Sequence, residues 1–469
     1  MREPKIDKNR YSLLCKPPLC DAINPNAVSE KQNGVSSHSF GVSISCNGVW
    51  FRWLQGFDFQ NMKRSSKKGG KWLFLLMRNS MEDRIAIFVS CVRSIRERVG
   101  EMKQISVCVS NDLVCDNRVD KTCQSLVGCG LSVRLIGREF DNSPALPSRN
   151  YECSRVRTYF KRNILYYAEL NLRLFFRLLF SRQDIIWAND LDTLLPCCLV
   201  AKLKGKPLIF DSHEHFTQVP ELKANPFARK VWKMVEKSCI KKCKGVVTVC
   251  EPIRKYFKEE YGVESVVVRN MPPREAATES LVPAAEKENL IVWQGAVNME
   301  RGLEELCEAM QFVDGRLVIM GDGRIKDELE NKVRKYPFAN KICFVGRLPF
   351  AEMMSNTRKA KLAVSIDKPT NGNYAISLPN KIFEYMASGV PMLVSPLQEI
   401  EPIVEKYEVG EFIRSYNPPE LAKQINELLS DNAKADFFAA NALNAAAELC
   451  WENEEKKIYE LIKHTEGIK

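Results

Sequence analysis

No uninterrupted apolar run in this chain reaches the ~18 residues that a membrane-spanning helix requires. The nearest candidate, "WLFLLM" at 72–77, follows a basic cluster as the apolar core of a secretory leader would. It is too short for either role and lies too far from Met1, so the chain reads as soluble. Cys-x-x-Cys pairs are missing as well. The 17 cysteines are odd in number and scattered, without the tight spacing of zinc sites or secreted disulfide frameworks. Free thiols in a reducing cytosol fit that usage. Histidine is scarce, with four in 469 residues. The one His-x-His pair, His213 and His215, has no third ligand downstream at metal-binding spacing, and no metal site is read. Basic charge is concentrated rather than general. The net charge is +11, and residues 1–101 alone hold 17 Lys and Arg against 9 Asp and Glu. The remainder carries little excess, so a nucleic-acid partner is not expected.

Sustained periodicity is absent from residues 1–101, where scattered Ser, Asn and Gly leave only 83–99 as a candidate helix. This stretch is expected to be an extension outside the conserved fold. From 102 onward, short apolar runs alternate with helical patterns. In the first half these are "QISVCVS", "LSVRLIG", "DIIWA", "PLIFD", "GVVTVC" and "ESVVVR"; in the second, "NLIVWQ", "RLVIM", "KICFVG", "KLAVSI" and "VPMLVS". Near-continuous Val, Ile and Leu separated by helices predict parallel sheets covered on both faces. The polar, Pro-containing stretch 271–288 divides the two series. The expected fold is therefore α/β, with two facing doubly wound, Rossmann-like domains at 102–275 and 276–445. A final helix at 446–469 could cross back to the first. Ligands of such sheets bind beyond the C-terminal strand ends, here in the cleft between the domains.

One segment, "RTYFKRNILYYAELNLRLFFRLLFSR" at 157–182, interleaves Phe, Tyr and Leu with Arg and Lys at helical spacing. A helix packed on the first sheet is one reading. A basic, aromatic face lying on an anionic membrane surface is the other.

The chemistry gathers around "NYAISLPNKIFEYMASGVPMLVS" at 373–395. Ser377 is placed to cap a helix with Pro379 in its first turn, and Gly389 ends it. A cation at Lys381 opposes the helix dipole, unless an anion occupies that helix start. Glu384, one turn deeper, suits vicinal ribose hydroxyls as a two-oxygen acceptor. Phosphate plus ribose means nucleotide; a surface lysine and a satisfied helical glutamate are the alternative. "WQGAVNMERGLEEL" at 293–306 adds a glycine turn at Gly295 and a second cation, Arg301, before a helix. "IMGDGR" contributes Gly321, a weak phosphate signature, and the loop in "FVGRLPF" offers Arg347 at a floor for a base. In the first half, "WANDLDTLLP" and "FDSHEHF" both follow strands, and the latter carries His213 beside acids. Arg118 and Lys121 share a helix face, either as phosphate contacts or as ordinary exposed bases.

"LPNKIFEYMASGVPMLVS", with "GAVNMERGLEEL" and "MGDGR" upstream, resembles the donor-binding domain of a family 4 glycosyltransferase with the GT-B fold. "DIIWANDLDTLLP" and "PLIFDSHEHFTQVPEL" are similar to the acceptor-side domain of bacterial members that build surface polysaccharides. The resemblance covers roughly 102–469. It implies retaining transfer from a nucleotide-diphosphate sugar to a glycan or lipid-linked acceptor, without a required metal or other cofactor. The cysteine usage sets the expected location as cytoplasmic, and the membrane reading of 157–182 would add peripheral contact at the inner membrane face. On this chain the resemblance assigns Glu384 to the ribose and Lys381, Arg301 and the backbone of Ser377, Leu378 and Asn380 to the diphosphate. His213 is assigned to the acceptor-domain side, near the sugar. Two positions depart from the family pattern. Ile376 stands where a second glutamate is usual, and Ala296 where an arginine precedes Arg301. Ile376 keeps open a non-catalytic nucleotide-binding partner of an active transferase; a nucleotide-sugar epimerase is the other rival.

Overall fold

The computed structural model describes residues 102–466, apart from 115, 142, 162, 220, 221, 223, 224, 279 and 371, together with four residues near position 50. The chain divides into two compact units, Met1–Met102 and Lys103–Lys469. In the first, strands β1 (Ser45–Cys46) and β2 (Val49–Trp50) pair antiparallel. The helix expected at 83–99 lies outside the described residues.

The second unit contains two wholly parallel sheets. Seven strands form one: β3 (Gln104–Cys108), β4 (Ser132–Glu139), β5 (Glu152–Arg157), β6 (Ile185–Asn189), β7 (Leu208–Ser212), β8 (Gly245–Thr248) and β9 (Val266–Val267), in the order β5-β4-β3-β6-β7-β8-β9. The other has β10 (Leu290–Gln294), β11 (Arg316–Met320), β12 (Ile342–Gly346), β13 (Leu362–Ser365), β14 (Met392–Val394) and β15 (Gly410–Phe412), in the order β12-β11-β10-β13-β14-β15. Each order reverses direction once, between β3 and β6 and between β10 and β13. Those two switch points are where such sheets open a crevice for ligands.

The central strands are apolar on both faces because helices cover both. All five residues of β6 and of β7 are buried, Trp187 and Phe210 completely. At ~1.5–3 kcal/mol for each large aliphatic or aromatic side chain removed from water, these strands anchor the fold. Their polar residues, Asn189, Asp211 and Ser212, are also buried, and they sit at the strand ends that face the cleft.

Helix α1 (Asn117–Gly128) follows β3, and α2 (Asn163–Leu179) follows β5. The sequence placed the start of the second helix too early, at 157. Glu152–Arg157 is instead strand β5, an edge strand with partial burial and mixed polarity, which hides it from an apolar-run search. β15, the other unforeseen strand, is likewise at an edge. "ESVVVR" shrinks to the two residues of β9. α2 packs by Leu170, Leu174 and Leu178, spaced four apart and fully buried. It contacts α3 (Leu191–Lys204), which contacts α4 (Pro226–Cys239). In the second domain α5 (Leu303–Ala309) follows β10, and α6 (Lys381–Ala387) lies between β13 and β14.

The last helix, α7 (Trp451–Glu466), returns to the first domain. Trp451, Ile458, Leu461 and Ile462 join the core that includes Ile105, Val107 and Leu126. The Trp451 indole N–H donates to Ser125 Oγ at 3.0 Å. Gly245 permits this approach, since a Cβ there would lie 2.7 Å from Leu461.

Candidate active site

A cleft of about 1060 Å³ opens at the C-terminal strand ends of both sheets. Ten of the residues singled out from the sequence line it: His213 from the first domain, and Gly295, Arg301, Gly321, Arg347, Ser377, Leu378, Asn380, Lys381 and Glu384 from the second. Arg118 and Lys121 are not in its lining.

Glycines shape the donor-side floor. Gly295 and Gly321 end β10 and β11 with φ of +132° and +154°, and a Cβ on Gly321 would lie 1.8 Å from the Gly295 carbonyl oxygen. Only bare backbone fits there, which leaves open space above it. Gly302, at φ +68°, lets α5 begin against the end of β13; a Cβ would meet the Ile366 carbonyl oxygen at 2.4 Å. This close approach brings the preceding Arg301 to a residue the sequence reading passed over. Asp367, fully buried just beyond β13, has Oδ2 2.5 Å from Arg301 Nη1 and Oδ1 3.4 Å from Lys381 Nζ. The Arg301 guanidinium lies over the Tyr374 ring at 4.4 Å, and the Lys381 ammonium over Trp293 at 4.5 Å. Burial lowers the Lys381 pKa to about 8, with Asp367 opposing and Arg301 reinforcing the fall.

Glu384 is one turn into α6, as its position in the sequence indicates. The Gln294 amide N–H donates to its carboxylate, and Gln294 is oriented by accepting from Thr357 Oγ1 at 2.8 Å. Burial raises the Glu384 pKa; Gln294, Lys121 and Lys381 pull the other way.

Ser377 does not cap the helix. Its hydroxyl donates to the Tyr374 carbonyl at 2.9 Å, and α6 begins only at Lys381, with Asn380 at the N-cap position making no side-chain capping bond. Pro379 therefore precedes the helix. The amides of Ile382 and Phe383 already donate to the Pro379 and Asn380 carbonyls. A seven-residue helix with two engaged amides is a weaker anion seat than its sequence suggests. The positive charge of this rim therefore comes chiefly from side chains.

Across the cleft, His213 is held between two acids. Asp190 accepts the His213 backbone N–H at 2.9 Å, and its Oδ2 lies 3.2 Å from Nδ1; Asp211 Oδ2 lies 3.3 Å from Nε2. Asp190 makes this bridge from φ +60°, a strained conformation for a residue other than glycine. Burial opposes charge on the imidazole, yet Asp190 and Asp211 outweigh it and raise the His213 pKa well above its usual value. Protonated on both nitrogens, His213 is a donor and a cation rather than a base. Arg118 extends the chain, donating to Asp211 at 3.1 Å and to the Val268 carbonyl at 2.7 Å. It is buried, contrary to an ordinary exposed base. Lys121, half-buried, donates to the Met271 carbonyl. Its pKa falls to about 7 through burial and Arg118, while Glu384 from across the cleft opposes the fall.

Asp367, Gln294 and Asp190 are the polar residues missed as site members, whereas Asp211 is among the acids read beside His213. Each ends or directly follows an apolar strand, and a polar residue at that position was the available signal. Ile376 lines the cleft and packs against the apolar cluster of the first domain that contains Cys250 and Ile253.

Two family models match this chain: Glycosyltransferase Family 4 over 117–271, and Glycosyl transferases group 1 over 278–445. Its two sheet domains are thus each matched by a glycosyltransferase family model. The chain is 25% identical over 185 residues to an uncharacterized glycosyltransferase of Methanocaldococcus jannaschii, covering 38% of this chain and 45% of the relative. A second such protein of that organism is matched over 37% and 48%; the chain thus spans about half the length of these two relatives. It is 23% identical, over 60% of itself and 73% of the relative, to a Campylobacter jejuni enzyme named as an alpha-1,4-N-acetyl-D-galactosaminyltransferase acting on an undecaprenol-diphosphate glycan. Among solved structures it is similar to a sucrose-phosphate synthase from Thermosynechococcus elongatus (TM-score 0.63, 17% identity, 78% of this chain and 100% of that one). It is also similar to Anabaena HepE in complex with UDP (TM-score 0.59, 14% identity, 77% and 100%). These likenesses place the chain in the GT-B fold.

Proposed function

We propose that this chain moves a sugar, with retention of anomeric configuration, from a nucleotide-diphosphate donor to a glycan or lipid-linked acceptor in polysaccharide biosynthesis. One observation carries the reading. Arg301 and Lys381 meet at one point of the donor rim, with Glu384 one turn deeper on the same helix as Lys381. Two cations suit a diphosphate, and the carboxylate suits a ribose. The acceptor side presents His213, Asp190 and Glu214 opposite them.

Transfer breaks the bond between the anomeric carbon and the β-phosphate oxygen, and negative charge grows on the departing diphosphate. Arg301 and Lys381 stabilise that charge most where it is largest, in the transition state. The acceptor hydroxyl approaches the face the phosphate leaves, forms the new C–O bond, and gives its proton to the phosphate. No protein nucleophile is needed, and side-chain cations act without a required metal. His213, as an imidazolium with both N–H groups turned to Asp190 and Asp211, brings positive charge near the sugar while its nitrogens stay with the two acids. Domain closure over the 1060 Å³ cleft would exclude water and so limit hydrolysis.

The location that fits is cytoplasmic, with peripheral contact at the inner membrane face. Among the described residues no helix is long and apolar enough to cross a membrane. The outer face of α2 nevertheless exposes Ile164, Leu165, Leu172 and Phe176, and Phe180 beyond its end. Leu203 on α3 and Phe227 and Met234 on α4 are exposed as well, and Arg173 and Lys233 pair with Glu169 and Glu260. Exposed apolar side chains on helices that also carry bases suit an anionic lipid surface.

The deciding experiment incubates the full chain with a panel of nucleotide sugars, with and without a lipid-linked acceptor. Acceptor-dependent nucleotide release is expected. Sugar conversion without acceptor would instead mark an epimerase. Tight nucleotide binding without turnover would mark a non-catalytic partner, the reading that Ile376 favours by presenting an apolar wall in the cleft.

A further inference from the structure

Arg301 precedes α5 and Lys381 opens α6, and like charges held side by side in a protein interior repel. Asp367 offsets that repulsion. Its two oxygens are divided between the cations, 2.5 Å from Arg301 and 3.4 Å from Lys381, and the residue is wholly buried at the end of β13. The backbone here is fixed in turn. The Asp367 carbonyl accepts the Tyr416 hydroxyl at 3.1 Å, and Tyr416 is hydrogen-bonded to Ser395 at 2.8 Å. A carboxylate beside a diphosphate is unfavourable taken by itself, so its contribution must come through the two cations.

We propose that Asp367 is a positioning residue of the donor site: it ties Arg301 and Lys381 to a single point and sustains the charge on Lys381. The inference rests on the reading of this cleft as a nucleotide-diphosphate site.

The electrostatics around Lys381 agree with the geometry. Burial is the main influence against its ammonium, and Arg301 adds to it; Asp367 is the largest influence in favour, followed by Glu384 on its own helix. Lys121 of the first domain faces Glu384 from across the cleft. With the Asp367 charge removed, the amine loses its proton at lower pH. A diphosphate bound beside Lys381 favours the charged amine. Binding therefore takes up a proton wherever the free amine is neutral. Affinity then falls as pH rises through the Lys381 value of about 8, by at most about tenfold per pH unit.

Calorimetric titration of the full chain with UDP, and in parallel with GDP, tests this across neutral to alkaline pH. Two buffers of different ionisation enthalpy report the proton uptake. The wild type is expected to lose affinity on the alkaline side with net uptake. In Asp367→Asn the loss should begin at least about one pH unit lower, as expected when a neighbouring charge is removed. Asp367→Glu should keep the wild-type profile. Lys381→Arg, which holds its proton throughout, should show only the nucleotide's own ionisation, and adding Asp367→Asn to it should shift nothing. Asp367→Asn weakening binding by one factor at every pH would overturn the proposal as merely structural. Absence of proton uptake by the wild type would overturn it without any variant. Failure of both nucleotides to bind the wild type would overturn the donor-site reading itself, and this inference with it.

Discussion

Lys381 bears the heaviest demand of any side chain in the cleft. It is 6% exposed, pairs with one carboxylate and faces an aromatic ring, so its charge has few screening waters. In such a setting a donor aimed at growing charge contributes roughly 2.7–4 kcal/mol to the transition state, or 10²–10³ in rate. Lys381→Met is therefore expected to lower kcat by about that factor, with much less effect on acceptor KM. Steady-state kinetics at saturating donor check it; an unchanged kcat would remove Lys381 from the mechanism. His213 yields a prediction about stability and pH. Its folded pKa is raised above the unfolded value, so the stabilisation is complete below the unfolded value of ~6.5 and is lost as pH climbs through the folded one. The difference in melting temperature between wild type and His213→Gln should be constant in mild acid and shrink on the alkaline side. A gap that widened with pH would contradict the Asp190–His213–Asp211 bridge. At this scale Lys381, Glu384, Arg301 and His213 were legible because each interrupts a local pattern: a cation against a dipole, an acid inside an amphipathic turn, a histidine in a strand-end loop. Asp367 and Gln294 were not, since a polar residue closing an apolar strand looks like the start of an ordinary loop. Only the packing of Gly302 on Ile366 reveals that Asp367 faces inward.

Among elements, the central strands declared themselves by unbroken apolar runs, while β5 and β15 did not. An edge strand has one neighbour and a partly wet face, so its residues need not be continuously apolar. Ser377 was misread for a related reason. Capping residues are recognised relative to a helix start, and the start moved three residues when Pro379 and Asn380 formed a turn of their own. The join between β13 and α5 permits a sharp test. Gly302→Ala would place a methyl 2.4 Å from a backbone oxygen at φ +68°. Left-handed strain costs of order 1–3 kcal/mol at such positions, and the carbonyl can yield only by moving the end of β13. The variant should melt earlier by a shift corresponding to about 2 kcal/mol and bind UDP less well, because Arg301 and Asp367 separate. Stability and affinity both equal to wild type would show that the join is slack. The α2 face belongs to this scale too. Its sequence admitted both packing and membrane readings, and the helix satisfies packing with Leu170, Leu174 and Leu178 while leaving Phe176 and Phe180 outside. Replacing Phe176 and Phe180 by Ser should weaken co-sedimentation with acidic liposomes severalfold and leave the fold intact, since neither side chain is in the core. Stronger binding of the wild type to neutral than to acidic liposomes would count against the membrane contact.

At the scale of the whole molecule, the two sheet domains of the second unit are joined by two chain crossings that are stitched to each other. The Trp451 amide donates to the Pro272 carbonyl at 2.9 Å, the Arg274 amide to Glu452 at 2.9 Å, and the Arg269 amide to Glu454 at 2.8 Å. Closure of the cleft must pivot about this double strap. Trp451 is its anchor, 5% exposed in the first domain's core with its indole N–H bonded to Ser125. Removing a buried tryptophan side chain costs ~3–5 kcal/mol, and here the cost falls on the first domain although residue 451 follows the second domain in sequence. Trp451→Ala should therefore lower the first domain's melting transition and leave that of the second domain close to wild type. The two are separable by following the Trp187 and Trp293 environments, each a fully buried indole in its own central strand. A loss confined to the Trp293 signal would show that α7 is not part of the first domain's core and that the strap lies elsewhere.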